Sequence, residues 1–448
     1  MKSFSRQLAR LSADHQRIAK GAARVALFLL LGKFAGAFKE MAVAWRYGVS
    51  DVVDAYQFTF TLASWLPVTL AGVLSVVLIP VLVRSRKSGD EARQRFLSEL
   101  QGWTVASGVV LAVAIYIAWP WVLAVAGQGL SAETRAMSLQ LTWAFAPAAL
   151  LTLLSGISAA RLRAHERHLN TLLDSVPAVV ILIWVLLATS VDTVGPLLWG
   201  TLVGYFVQSA VLLWLAGRAD GTLARPRFAW SSSHWPELVK AAGVMLIGQV
   251  AMSFVGPLDQ YTAATLGDNT NATLGYATRL LALVLGIGAA SVGRAALPVL
   301  AEIHSRGDAR YGRNVALKWS AAMCLAGTAV TLAGWWLAPW GVGVLFQRGA
   351  FTLADTVRVA EVVRWGLLQL PFYFGVLILV QLLASQSRYR LMAAIAVANF
   401  AVKALMNVVL APRFGAQGIM LATAFMYASS FVCYAIAAWY HRPVKSAS

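Results

Sequence analysis

The chain has 448 residues, of which 59% are hydrophobic and only 12% charged, with a mean hydropathy of +0.68 and a formal net charge of +18. Soluble domains carry about one quarter charged residues, so this composition excludes a soluble globular protein and describes a polytopic membrane protein. The positive excess is distributed over many loops, which argues for membrane topology and against nucleic-acid binding.

Residues 1–20 place Phe4, Leu8 and Leu11 on one helical face beside Arg6, Arg10, Arg17 and Lys20. This is the pattern of an amphipathic helix lying in the membrane interface. A bilayer crossing needs about 20 mainly apolar residues. Twelve such stretches follow, near 21–47, 52–83, 102–126, 137–160, 171–191, 194–217, 239–265, 272–300, 316–338, 358–384, 391–412 and 415–440. The region 334–356, with Trp335, Trp336 and Trp340, is the most ambiguous. With an even number of crossings both termini share one side, and the Lys and Arg clusters at 1–20, 84–95, 161–167, 218–227, 306–313, 388–390 and 442–445 share it too. Only Arg46, Arg135, Arg348 and Arg413 fall on the opposite loops, so the positive-inside rule places both termini in the cytoplasm.

The chain therefore reads as an all-α protein of about twelve transmembrane helices. It also repeats itself. LIPVLVRSRKSGD around Pro80 returns as ALPVLAEIHSRGD around Pro298, an offset of 218 residues. RHLNTLLDSVPAVVILIWVLLA from Arg167 returns as YRLMAAIAVANFAVKALMNVVLA from Tyr389, and GPLLWGTL from Gly195 as QGIMLATA from Gln417, both offset by 222. A six-helix unit repeated once keeps its membrane orientation, so the expected organisation is a parallel internal repeat of two lobes. The lobes are 21–217 and 239–440, joined by a basic linker at 218–238 and followed by a tail at 441–448. Substrate would bind between them, with alternating access by rocking.

Candidate functional residues are the cations within apolar stretches: Lys33, Lys39, Arg279, Arg294, Arg364 and Lys403. A cation at the bilayer centre costs about 2.5–3.5 kcal/mol even on lenient scales, so these side chains should face a protein cavity and whatever anion enters it. Lys33, Gly36 and Glu40 share a helical face, and Gly32 with Gly36 makes a close-packing GxxxG spacing. Asp54 either partners Lys39 or caps its own helix. Arg279 has no acid within four residues, whereas Arg364 has Glu361 at i−3, which leaves ion pairing and ligand contact both open. Arg294, near a helix end, is expected to snorkel to the headgroups. Lys403 near the midplane has one strongly polar counterpart in the seventh stretch, Asp259, beside the helix-breaking Pro257. Their pairing, coupling lobe movement to protonation or ion entry, competes with a static structural pair.

Enzymatic signatures do not occur: G-x-S-x-G, H-E-x-x-H, Walker and Rossmann patterns are all missing. Two cysteines, Cys324 and Cys433, make no disulfide framework, and the six histidines all lie in cytoplasmic segments, so no metal site or cofactor is expected.

Four segments carry a family resemblance: GKFAGAFKEMAVAWRYG with VVDAYQFTFTL, then YATRLLALVLGIGAASVGRAALPVLAEI, LFQRGAFTLADT, and RYRLMAAIAVANFAVKALMNVVLAPRFGAQGIMLATA. In content and order they resemble the MviN/MurJ lipid flippases of the multidrug/oligosaccharidyl-lipid/polysaccharide transporter superfamily. The resemblance implies two six-helix lobes around a cationic cavity that moves an undecaprenyl-diphosphate-linked sugar across the bacterial inner membrane. It matches family arginines to Lys33, Lys39 and Arg279, and a family acid to Asp54. Thr278 stands where the family has an acid and Pro67 where its second helix has an arginine. The family's sodium site, an acid in helix seven with Asn-x-x-x-Asp in helix eleven, falls on Asp259, Asn399 and Lys403, which puts an ammonium where sodium would bind. The family's lipid II flippases also have two further C-terminal helices, whereas this sequence runs to twelve.

The expected function is therefore flipping of a lipid-linked oligosaccharide for exopolysaccharide or another envelope glycan. Lys33, Lys39, Asp54, Arg279 and Arg364 are the substrate residues in this reading, and Asp259, Asn399 and Lys403 the coupling residues. Alternatives are a lipid II flippase, a drug/cation antiporter, or a scaffold recruiting glycan-synthesis enzymes. The chain is expected to act as a monomer in the bilayer, without nucleic acid.

Overall fold

The computed structural model describes residues 27–440 apart from 86–88, 166–168, 189–192, 222–224, 268, 306–308 and 387. The amphipathic segment expected at 1–20 and the 441–448 tail lie outside the described residues, as does the side chain of Arg294. Among the described residues the structure is entirely helical. Helix α1 covers 27–47. It is followed by α2 (Asp51–Ser85), α3 (Asp90–Ala126), α4 (Ala132–Ala164), the short α5 (Asn170–Leu173), α6 (Val176–Leu187) and α7 (Gly195–Asp220). The second half contains α8 (Trp235–Ser253), α9 (Val255–Leu266), α10 (Thr270–Ser305), α11 (Ala309–Phe346), α12 (Leu353–Leu367), α13 (Leu370–Ser385) and α14 (Tyr389–Tyr440).

Seven of these helices are long and apolar enough to cross a membrane, or eight when α12 and α13, bent by 41°, count as one span, among the described residues. Two expected spans, near 391–412 and 415–440, both lie in α14, which breaks at Gly415 (φ 59°, ψ −140°). The ambiguous Trp335–Trp340 region is helical throughout, because α11 continues past Pro339 to Phe346 instead of ending at 338. A capping box then starts α12: Thr352 N–H donates to Asp355 Oδ2 at 2.8 Å and Asp355 N–H to Thr352 Oγ1 at 3.2 Å. The helical break expected beside Pro257 occurs at Phe254. Pro257 then sits in the first turn of α9, where its missing N–H costs no intrahelical bond.

Helix bounds in the second half follow those of the first at a nearly constant spacing. Asp51–Ser85 corresponds to Thr270–Ser305, Asp90–Ala126 to Ala309–Phe346, and Ala132–Ala164 to Leu353 through Ser385. The kink at Gly415 falls where Gly195, the start of α7, would be repeated.

By contact the chain forms two compact units. One comprises residues 1–43, 66–119 and 139–246, and the other residues 44–65, 120–138 and 247–448. In the first, Val77, Leu78, Phe96, Leu97 and Leu100 pack with Ile157, Trp235 and Leu238. Asp220 ties the ends of α3, α4 and α7 together, accepting from Arg93 Nη2 (2.8 Å) and Arg161 Nε (2.7 Å), with His165 Nε2 at 2.8 Å. In the second, Leu300, Leu379, Leu382, Leu383, Ile395 and Tyr434 form the core.

Candidate functional site

Lys403 is completely buried in the second unit, yet all three of its ammonium protons have acceptors. Nζ lies 2.7 Å from Asp259 Oδ1, 2.8 Å from the Ile419 carbonyl and 2.7 Å from Thr423 Oγ1. Asn407 Nδ2 donates to the same Asp259 oxygen at 3.0 Å and to Thr262 Oγ1 at 3.2 Å. Asn399, Lys403 and Asn407 recur every four residues on one face of α14, and Lys403 and Asn407 meet α9. Asn399 is buried, and its Oδ1 has no hydrogen-bond partner among the described residues. The oxygens gathered here, a carboxylate, a carbonyl and a hydroxyl, are of the kind a hard cation selects. The lysine ammonium already sits among them at hydrogen-bonding distance, so this arrangement does not fit a resident sodium ion.

Asp54 serves a helix other than its own. Its carboxylate accepts from Ala272 N–H at 2.8 Å and Asn271 Nδ2 at 3.4 Å, capping the N-terminus of α10 from α2. Around it, Tyr276 donates to the Gly48 carbonyl at 2.9 Å, and Ala350 N–H to the Trp45 carbonyl at 2.8 Å. Gly48 and Gly349 both have φ near 59°, and a Cβ on Gly349 would lie 2.2 Å from the Trp45 carbonyl oxygen. The Arg-Gly-Ala-Phe segment is thus docked backbone to backbone against the end of α1.

Lys39 forms its ion pair with the adjacent Glu40, Nζ to Oε1 2.6 Å, both residues buried in the first unit. Lys33 is exposed. The exposed apolar residues of α1 are Leu27, Leu29, Leu30, Leu31, Phe34 and Phe38, and at 100° per residue Lys33 stands between Leu29 and Leu30, about 40° and 60° from them. Arg279 is half-buried, with its guanidinium carbon 5.6 Å from the centre of the Phe60 ring, a cation–π contact. Arg364 donates from Nε to the Trp335 carbonyl at 2.9 Å, bridging α12 to α11, while Glu361 accepts from Gln417 at 3.3 Å. Thr262, Asn407, Ile419 and Thr423 were not singled out by sequence reasoning. The four-residue spacing of Asn407 from Lys403 is the signal that points to it.

All-helical throughout the described residues, with seven or eight candidate spans, a buried Asp259–Lys403 ion pair and helix bounds that recur in the second half, the chain is of the polytopic helical membrane-protein class. The solved structures agree. One described as "Lipid II flippase MurJ, inward closed conformation" superposes with a TM-score of 0.79 over 93% of this chain and 87% of that one at 21% identity. An inward-facing multidrug resistance MATE family transporter gives 0.74 over 90% and 93% at 13% identity. A family model described as "Lipid II flippase MurJ" matches residues 43–445, and the chain belongs to that family. Probable lipid II flippase MurJ of Synechocystis is 26% identical over 425 residues, 89% of this chain and 77% of that protein. Lipid II flippase MurJ of Burkholderia cenocepacia is 23% identical over 429 residues, 88% and 78%. The protein is therefore a multi-pass membrane flippase for a lipid-linked precursor, a transporter and not an enzyme.

Proposed function

We propose that this chain flips a peptidoglycan precursor of the lipid II class across the bacterial cytoplasmic membrane by alternating access. The observation that carries the reading is the family match over 43–445, which takes in both halves of the repeat. The relatives it resembles are named for lipid II, and that moves the preference away from the exopolysaccharide unit expected from the sequence. Likeness to multidrug transporters extends to the fold alone.

In this reading twelve spans form two six-helix lobes, 21–217 and 239–440, related by a parallel repeat, with both termini cytoplasmic. The regular spacing of the helix bounds and the one-sided Lys and Arg distribution support it. A diphosphate cannot enter hydrocarbon unaided, and Lys33 and Arg279 supply charge-assisted hydrogen bonds to it while the polyprenyl tail stays in lipid. Lys39, Asp54 and Arg364 hold the framework instead, through Glu40, the α10 N-terminus and the Trp335 carbonyl. Asp259, Asn399 and Lys403 are the coupling group, and the cation that balances Asp259 is built into the chain.

Flipping of labelled lipid II in proteoliposomes tests this reading. The Lys33→Ala, Arg279→Ala double variant should lose at least about tenfold in rate, roughly 1.4 kcal/mol of substrate stabilisation. Unchanged flipping by that variant overturns the site, and a wild-type protein that moves an exopolysaccharide unit but not lipid II overturns the substrate.

A further inference from the structure

The linker between the repeats carries the sequence RPRFAW at 225–230, and the structure fixes it at one depth on α3. Arg227 N–H donates to the Ser98 carbonyl at 3.0 Å, and Trp103 Nε1 to the Ala229 carbonyl at 3.0 Å. Glu99, fully buried, gathers the next turn, accepting from Ser231 N–H (3.2 Å), the Ser231 hydroxyl, Ser232 N–H (3.1 Å) and Trp235 Nε1 (2.8 Å). Trp230 stacks on Trp235 with ring centres 4.2 Å apart and meets Trp103 edge-on at 5.6 Å. Gly102 admits the crossing, because a Cβ there would stand 2.3 Å from the Arg227 carbonyl oxygen.

The crossing point has a definite place in a bilayer. α3 has 37 residues. At about 1.5 Å per residue it is roughly 55 Å long, well beyond the ~30 Å hydrocarbon core. Its charged residues all precede Leu100, and 100–126 carries none. Residues 98–103 therefore sit where the helix leaves hydrocarbon for headgroups, and the pinned linker lies at that level. The side chains it turns outward are Arg225, Arg227, Phe228 (68% exposed) and Trp230 (54% exposed). Aromatic rings belong at headgroup depth, and arginines beside them pair with phosphates. A large aromatic side chain exposed on a segment this firmly bonded is out of place in water and suited to that layer.

We propose that 225–230 is a docking strap for anionic glycerophospholipids of the bilayer, with Phe228 and Trp230 set among the headgroups and Arg225 and Arg227 on their phosphates. It fastens the inter-repeat linker to one leaflet, an interaction separate from substrate handling. The occupant is bulk lipid, not the transported precursor.

Full-length protein labelled with a nitroxide at Phe228→Cys, with Cys324 and Cys433 replaced by Ala, tests it in phosphatidylcholine vesicles with and without about 30% phosphatidylglycerol. With phosphatidylglycerol present, collisions of the label with a water-soluble nickel relaxant should fall about threefold, and Arg225→Gln with Arg227→Gln should abolish the fall. Equal access in both vesicle types overturns the proposal, whether the label stays in water, sits equally deep in both, or is covered by another protein. Label depth is read without any transport, so failure of the flippase reading leaves this result standing, and failure here leaves flipping untouched.

Discussion

The Lys403 ammonium lies 2.7 Å from the Asp259 carboxylate, and the same carboxylate oxygen accepts from Asn407 at 3.0 Å. A lysine this deeply buried is stable as a cation only because the carboxylate, the Ile419 carbonyl and the Thr423 hydroxyl replace its lost water.

Removing one partner should cost far more than removing both. Lys403→Met and Asp259→Asn alone each strand a buried polar or charged group and should destabilise by about 3–5 kcal/mol, whereas the double variant should fall well short of the sum. Thermal unfolding of purified protein compares the three. Additive losses would mean the two groups are not energetically coupled.

Transport should be indifferent to sodium, because the ammonium holds the oxygens that a hard cation would need. Replacing sodium with choline should leave the wild-type flipping rate unchanged. Lys403→Asp, which exchanges the tethered cation for another oxygen ligand, should show thermal stability that rises with sodium. A wild-type protein that stops when sodium is withdrawn disproves the substitution.

Asp54→Ala should lose the cap on α10, at a cost of about 0.5–2 kcal/mol, while Asp54→Asn keeps an oxygen for Ala272 N–H and should retain most of it. Hydrogen exchange at 270–274 reads the difference directly, and equal protection in both variants would deny the cap.

Gly349→Ala meets two penalties at once, a left-handed backbone at φ 59° and a Cβ 2.2 Å from the Trp45 carbonyl oxygen. The backbone conformation alone costs about 1–2 kcal/mol for a residue with a Cβ. The melting temperature should fall, with faster exchange of the Ala350 amide. No change in either would remove the close approach from the account.

The Asp259–Lys403 pair was legible because burying a cation in an apolar helix is costly enough to require an acid, and α9 offers one. Its other members were not, since Thr262, Asn407 and Thr423 are unremarkable polar residues until the helices are placed side by side. For Asp54 the sequence left two readings open, a partner for Lys39 or a cap on its own helix. The structure joins Lys39 to Glu40 and sends Asp54 to the α10 N-terminus. For Arg364 the sequence left a pair with Glu361 and a ligand contact both open, and in the structure its Nε donates to the Trp335 carbonyl of α11.

The sequence alone determined that the chain crosses the membrane and where polar residues interrupt its apolar stretches, because hydropathy and spacing are properties of local chain. Which acceptor each buried donor found was decided only by the tertiary structure. A hydrogen bond forms with whatever complementary group packing brings within about 3 Å: Asp54 accepts from the Ala272 N–H of α10 and Lys403 donates to the Ile419 carbonyl, partners whose positions no local pattern records.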